Sequence, residues 1–179
     1  KRPKFEVTAL MQLLVNTISK ESDTLNKNNV KLTTIGDIDS LPSNCKNELK
    51  KAILKTEKNS GLNLILALSY SSKWEIIEAV KNISKDVLDN KLSIEAIDEN
   101  VIDDYLNTKN IPNPELLIRT SGEHRISNFL LWQIAYAELL FSSKLWPDYR
   151  KEDLFEAIVN YQKRERRFGL TSEQLITTK

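Results

Sequence analysis

One cysteine, one histidine and one methionine occur in 179 residues, and the first two scarcities restrict the available chemistry. A lone Cys45 can form neither a disulfide framework nor a thiolate metal cluster, which makes a reducing cytoplasm the simplest compartment. His124 has no evident acid–base partner in the sequence and reads as a neighbour that shapes its loop. No apolar run approaches the ~20 residues that cross a bilayer. The longest, 62–68 and 129–137, are short and interrupted by polar groups, and no signal peptide is visible. Charge of one sign is also lacking: 26 Lys and Arg face 25 Asp and Glu, a net charge of +1. That near-balance offers no global field for nucleic acid, so any anion site must be local. No repeat, low-complexity segment or linker divides the chain, which reads as one domain. It opens at Lys1-Arg2-Pro3, with Met11 its only methionine, and so reads as a piece of a longer polypeptide.

What is present is a globular composition, 40% hydrophobic and 28% charged. Val7, Leu10, Met11, Leu13, Leu14 and Val15, with Ile18 beyond, recur at helical spacing and predict a helix over 6–18 that runs on toward Leu25. The alternating, β-branched segment 30–35 predicts a strand. A charged amphipathic helix over 42–56 comes next, and then an almost wholly apolar strand over 62–68, as expected in a parallel sheet. Further helices are predicted over 74–87, in one or two pieces over 93–106, over 129–135 and over 151–164, with short strands at 116–118 and 138–141. Strands alternating with helices imply an α/β fold with a mostly parallel sheet.

The chemistry concentrates in 119–128. Arg119 leaves the end of a predicted strand, where open α/β sheets bind ligands. If 125–127 is extended, Arg125 and Ser127 project to one side with Ile126 turned away. A helix opening at Ser127-Asn128 would add unpaired N–H groups that favour an anion. Two guanidiniums, a hydroxyl and a helix start would make a diphosphate cradle, because the planar fork of arginine engages phosphate oxygens in pairs. The alternative is that both arginines are surface residues paired with Glu115 or Glu123. Glu138 stands in an apolar setting and needs a partner. That partner is either Mg²⁺ shared with diphosphate oxygens or a nearby arginine. Trp74, Trp132 and Trp146 read as core; the basic run 163–167 reads as a solvated helix end, with a nucleic-acid patch or an arm that reaches a phosphate as the alternatives.

These segments together resemble the cis-prenyltransferases of the undecaprenyl diphosphate synthase kind. The stretch 117–133, continued through Ala135-Tyr136-Ala137-Glu138-Leu139 and Leu145-Trp146-Pro147-Asp148, is similar to the family's longest signature. Arg164-Glu165-Arg166-Arg167-Phe168-Gly169 resembles its C-terminal motif, and Arg2-Pro3 with Glu6-Val7 the segment after its central Asn-Trp. The resemblance implies a mainly parallel six-stranded sheet surrounded by helices, of which this chain would be the C-terminal two-thirds. It implies that Arg119, Arg125, Ile126 and Ser127 hold the diphosphate of isopentenyl diphosphate, that Glu138 binds Mg²⁺, and that Arg2 contacts substrate phosphate. Arg167 and Gly169 would reach a diphosphate across a homodimer interface, and Leu10, Leu13 and Leu14 would wall a tunnel for the growing chain, although their spacing fits ordinary core equally well.

The implied reaction joins isopentenyl diphosphate to an allylic diphosphate such as farnesyl diphosphate. Its product would be a long polyprenyl diphosphate, undecaprenyl in the bacterial case, handed to the membrane by a cytoplasmic enzyme that could sit at its inner face. Two departures stand out. The family's Asp-Gly-Asn-Gly-Arg-Trp motif, with its catalytic Asp, is not in this sequence, so a non-catalytic subunit is the alternative. Ser69-Tyr70-Ser71-Ser72-Lys73 also replaces a common Asn-Tyr-Gly-Gly-Arg, which would stiffen that loop and weaken a bidentate contact.

Overall fold

The computed structural model describes residues 4–164, so the predicted roles of Arg2, Arg167 and Gly169 lie outside the described residues. Contacts group the chain into two compact units, one up to Lys109 and one from Asn110.

In the first unit, α1 (Lys4–Lys27) is longer than its periodic stretch alone predicts. It stops by a Schellman arrangement: Asn29 takes φ 55°, and Val30 N–H and Asn29 N–H return to the carbonyls of Leu25 (2.9 Å) and Asn26 (3.1 Å). The chain then enters β1 (Lys31–Ile35), passes a short 3₁₀ turn (Ile38–Ser40), and forms α2 (Ser43–Thr56) and β2 (Asn63–Ala67). β1 and β2 are parallel, with Lys31 opposite Asn63 and Ile35 opposite Ala67. The inner stripe of α1, through Met11, Leu14, Val15 and Ile18, packs with Leu32 of β1 and Cys45, Leu49 and Ala52 of α2 into the core. Burial pushes the Cys45 thiol up, as for a small core residue.

Thr56 ties helix to strand inside that core. Its hydroxyl is fully buried, donates to Ala52 O (2.9 Å) and accepts from Leu32 N–H (3.1 Å). After β2 come α3 (Ser72–Leu88), a 3₁₀ turn (Ile94–Ala96) and α4 (Glu99–Tyr105), the one-or-two-helix expectation realised as two short pieces. Tyr105 O–H donates to Asp86 (2.6 Å), binding α4 to α3 and, before the neighbouring Lys91, holding that carboxyl below its usual range.

The second unit is built on β3 (Leu116–Arg119) and β4 (Glu138–Phe141), again parallel, with a 3₁₀ turn (Trp146–Asp148) and α5 (Lys151–Gln162) after them. The described residues thus hold four strands in two parallel pairs, as an α/β fold requires. Beyond the strand ends the pairing continues: Ser142 N–H reaches Arg119 O (2.7 Å), Gly122 N–H reaches Ser142 O (2.9 Å), and Ser121 N–H reaches Lys144 O (2.7 Å).

The helix expected over 129–135 does not form. Ser127, Asn128 and Leu130 take left-handed φ values of 55°, 61° and 49°, which break the regular ladder at its start. The chain continues instead through successive turns that bury Gln133 and Ile134. A run of seven mostly apolar residues, 129–135, carries no stripe to orient a helix, so packing prevailed over local propensity. Trp146 also departs from the core expectation: it is 72% exposed and stacks on Tyr149 at 6.3 Å.

Candidate functional site

Arg119 ends β3, half-buried, and its Nη1 donates to Ser127 Oγ at 2.7 Å. The structure therefore brings together two of the predicted phosphate ligands. The means differs from the expected one, because Ser127 is left-handed and the segment 125–127 is not extended throughout. No helix begins at Asn128, so a helix start contributes nothing to this cradle; the loop's own turns deliver the hydroxyl instead. Arg125 is largely exposed and pairs with Glu123, the surface pairing left open by the sequence. Ile126 is half-buried between them in the chain. His124 lies against the Phe141 ring, centroids 5.1 Å apart, and so props the loop on the end of β4.

Glu138 stands elsewhere on this strand pair. It begins β4 opposite Leu116, whereas Arg119 ends β3 opposite Phe141. Three strand steps, roughly 10 Å, separate the two positions along the strands. Glu138 accepts from Arg164 Nη1 at 2.7 Å, and the same guanidinium reaches Leu139 O (3.0 Å) and, through Nε, Asn160 (3.0 Å). Glu138 thus has an arginine partner, but it is Arg164, 26 residues on at the start of the basic run, and not one of the arginines near Glu138 in the sequence. Among the described residues no cluster of three or more metal-ligating side chains occurs. The carboxylate of Glu138 is nevertheless a hard oxygen donor, 28% exposed. That suits Mg²⁺, which takes one or two carboxylates and completes its shell with phosphate oxygens and water.

In the first unit the loops beyond β1 and β2 form a second polar centre. The hydroxyls of Ser40 and Ser69 meet at 2.9 Å on the wall of a cavity of about 420 Å³. Val7, Met11, Leu41 and Pro42 give that cavity its apolar lining. Of the predicted tunnel residues, Leu14 packs on the core, while Leu10 and Leu13 are 37% and 61% exposed; none of the three lines this cavity. Val7 and Met11, on the same helix, do.

Sequence reasoning missed what holds these loops. Glu75 is 1% exposed; its carboxylate accepts from Tyr70 O–H and from Asn107 N–H (2.8 Å), while Asn107 Oδ1 accepts from Gly36 N–H (2.8 Å). A signal existed: Glu75 shares the spacing of Ala79 and Ile83, the buried stripe of α3. The segment 69–73, which departs from the family's pattern, has a defined local geometry. Ser69 sits at φ 48°, Ser72 is fully buried, and Ser71 caps α3 by accepting from Trp74 N–H (3.4 Å).

The undecaprenyl diphosphate synthase family model matches residues 1–169. An isoprenyl transferase of Chlorobaculum tepidum is 51% identical over 99% of this chain and 67% of its own length. A ditrans,polycis-undecaprenyl-diphosphate synthase specific for (2E,6E)-farnesyl diphosphate, from Pasteurella multocida, is 46% identical over 96% of this chain and 72% of its own. The crystal structure of lavandulyl diphosphate synthase from Lavandula x intermedia, in complex with dimethylallyl diphosphate, superposes with a TM-score of 0.91 at 35% identity. That match covers 94% of this chain and 73% of the other. The chain spans about two thirds of the length of the curated relative from Chlorobaculum. With the α/β fold, the parallel strand pairs and the Arg119–Ser127 pair beyond β3, these matches place the chain in the isoprenyl transferase family of undecaprenyl diphosphate synthases, and it belongs to that family.

Proposed function

We propose that the protein containing this chain elongates allylic diphosphates with isopentenyl diphosphate in the cis sense, and that this chain forms about two-thirds of a single catalytic domain. The observation that carries the reading is the Arg119–Ser127 pair at the carboxyl end of β3, with Arg125 accessible two residues before Ser127. Arg119 and Arg125 bind the diphosphate of isopentenyl diphosphate through paired N–H donors, and Ser127 turns its hydroxyl from Arg119 to a phosphate oxygen. Ile126 keeps the two polar side chains apart. The name of the Pasteurella relative supports farnesyl diphosphate as primer and undecaprenyl diphosphate as product.

In the reaction the allylic C–O bond breaks with its electron pair leaving on the diphosphate, the double bond of isopentenyl diphosphate forms the new C–C bond, and a proton passes from the carbon beside the resulting cation to a phosphate oxygen or water, leaving a new cis double bond. Negative charge grows on the departing diphosphate, where preorganised cations lower the barrier. Mg²⁺, when bound with Glu138 as one ligand, supplies further charge to that leaving group. Arg164, which donates to Glu138, would hold that carboxylate in place for the ion. Arg2, Arg167 and Gly169 contribute further phosphate contacts, the last two from a partner protomer in a homodimer. Leu10, Leu13 and Leu14 on α1 wall the apolar tunnel that takes the growing chain. No helix of the described residues is long and apolar enough to cross a membrane, which fits a cytoplasmic enzyme that hands its lipid product to the inner membrane face.

The test is incorporation of labelled isopentenyl diphosphate into extractable lipid by the full-length protein with farnesyl diphosphate, with Mg²⁺ and with chelator. Metal-dependent incorporation supports the proposal. A folded protein that incorporates nothing would overturn it and make the chain part of a non-catalytic subunit. Glu138→Ala is expected to lower turnover at least tenfold and to shift the Mg²⁺ titration to higher concentration, whereas an unchanged titration would leave Glu138 only its bond to Arg164.

A further inference from the structure

Positive charge is not spread evenly along this chain. The segment 43–58 carries five lysines against two glutamates, whereas the whole chain nets only +1. Helix α2 sorts these residues by face. Cys45, Leu49, Ala52 and Thr56 are buried, the first three in the core shared with α1 and β1. Asn47, Lys50, Lys51 and Leu54 fall on the opposite face and are exposed. Leu54, 54% exposed, lies at the centre of that face. Lys50 and Lys51 stand one turn before it and Lys58 one turn after it, so the three lysines surround it.

These lysines are available to a partner. Lys51 pairs with Glu48 at 2.6 Å, a surface pair that exchanges readily, while Lys50 and Lys58 form no ion pair among the described residues. Further protein packed over Leu54 would have to desolvate the lysines around it, which is costly without carboxylate partners. The face therefore suits a partner that offers negative charge and accepts an apolar side chain at the same point. Nucleic acid fits poorly, because 43–58 holds no arginine for a bidentate phosphate contact and no aromatic ring for a base. An anionic bilayer fits both features. Its headgroups attract the ammonium groups, the lysine stems cover the boundary with their heads in water, and leucine enters between the headgroups. Beside Leu54 an open groove of about 580 Å³ runs between α1 and α2, where Asn16, Ser19 and Asn47 offer hydrogen bonds to headgroup oxygens.

We propose that the outer face of α2, centred on Leu54 and framed by Lys50, Lys51 and Lys58, is a docking surface for an anionic lipid bilayer. The choice of a lipid partner rests on the prenyl-transfer reading above: a long polyprenyl product is insoluble in water and has to leave into a membrane. A basic face with one inserted leucine binds weakly and reversibly, so the protein can load water-soluble diphosphates and return to the membrane with product.

The test is co-sedimentation of the full-length protein, without substrate, with vesicles of phosphatidylcholine alone and of phosphatidylcholine containing about a third phosphatidylglycerol. Binding is expected only to the anionic vesicles and is expected to fall at high salt. Each lysine near such a surface contributes about fivefold to binding, so Lys50→Glu with Lys58→Glu should weaken it at least tenfold. Leu54→Ser should weaken it roughly fivefold and leave the melting temperature unchanged. If the glutamate pair does not fold, Lys50→Gln with Lys58→Gln takes its place under the same criteria. Equal binding to both vesicles, binding by the double variant equal to the parent's, or displacement by duplex DNA at matched phosphate concentration would each overturn the proposal. Vesicle binding needs no turnover: a protein that binds vesicles but transfers no prenyl group sinks the functional reading alone, and one that transfers prenyl groups but binds no vesicles sinks the docking surface alone.

Discussion

The two strand pairs end in crevices of opposite character. Beyond β1 and β2 the loops are held by buried groups: a carboxylate, a carboxamide, a glycine without space for a side chain, and a capped helix behind them. Beyond β3 and β4 the loop is held by backbone bonds to 142–144 and by an aromatic prop, while its charged side chains remain accessible. In the first crevice, buried polar groups fix one arrangement before any ligand arrives. In the second, the guanidiniums pair with a hydroxyl and a glutamate close to solvent. Buried, fully bonded polar groups rigidify a loop, whereas accessible ion pairs leave one free to exchange partners.

The largest expected effect breaks the first side of this contrast. Gly36→Ala should cost about 3 kcal/mol of stability or more, because it combines a left-handed φ with a clash against backbone. Chemical denaturation measures it, and a loss below about 1 kcal/mol would mean that the first crevice is not rigid. On the other side, Arg119→Ala should raise the KM for isopentenyl diphosphate by roughly 10- to 100-fold, as for a lost charge-assisted contact, with little change in melting temperature. Arg125→Ala, starting from a more exposed ion pair, should give a smaller rise of the same kind. Equal effects would erase the distinction drawn between the two arginines.

Thr56→Val sharpens the comparison within the first unit. It leaves Leu32 N–H unpaired in the core and should cost ~1–3 kcal/mol without altering either KM. The smallest effect concerns pH in the second unit. Lys144, and then Arg150 N–H, hold the Asp153 carboxyl below its usual value. A depressed folded pKa means that this contribution is fully present above the ordinary carboxylate range and lost as pH falls through the lowered value. Asp153→Asn should therefore melt lower than the parent at neutral pH, and the gap should close in acid. A gap that persists at low pH would assign the effect to packing.

Much of the fold could be read in advance, because hydrophobic periodicity reports directly on local backbone geometry. All four described strands lie within a residue or so of their expected positions, and the long helices start and stop near their caps. The exception, 129–137, shows the limit. A short run apolar on all sides does not say which face is inside, and three left-handed residues at its start turned a predicted helix into successive turns. The same limit hid Glu75. Its place on the inner stripe of α3 was visible, but its partners lie five residues before it at Tyr70 and thirty-two residues after it at Asn107.

The sequence by itself determined the alternation of strands and helices, a near-neutral net charge, and the concentration of arginine and hydroxyl side chains at 119–127. These depend on local spacing and side-chain chemistry, which a linear chain displays. Only the tertiary structure decided that Arg119 meets Ser127, that Arg164 reaches Glu138 at the other end of the strand pair, and that Asn107 accepts from Gly36 N–H. Each of those contacts joins residues between eight and 71 apart in the chain. Such pairs are set by how elements pack and by the need to satisfy buried polar groups, and neither is encoded at any single position.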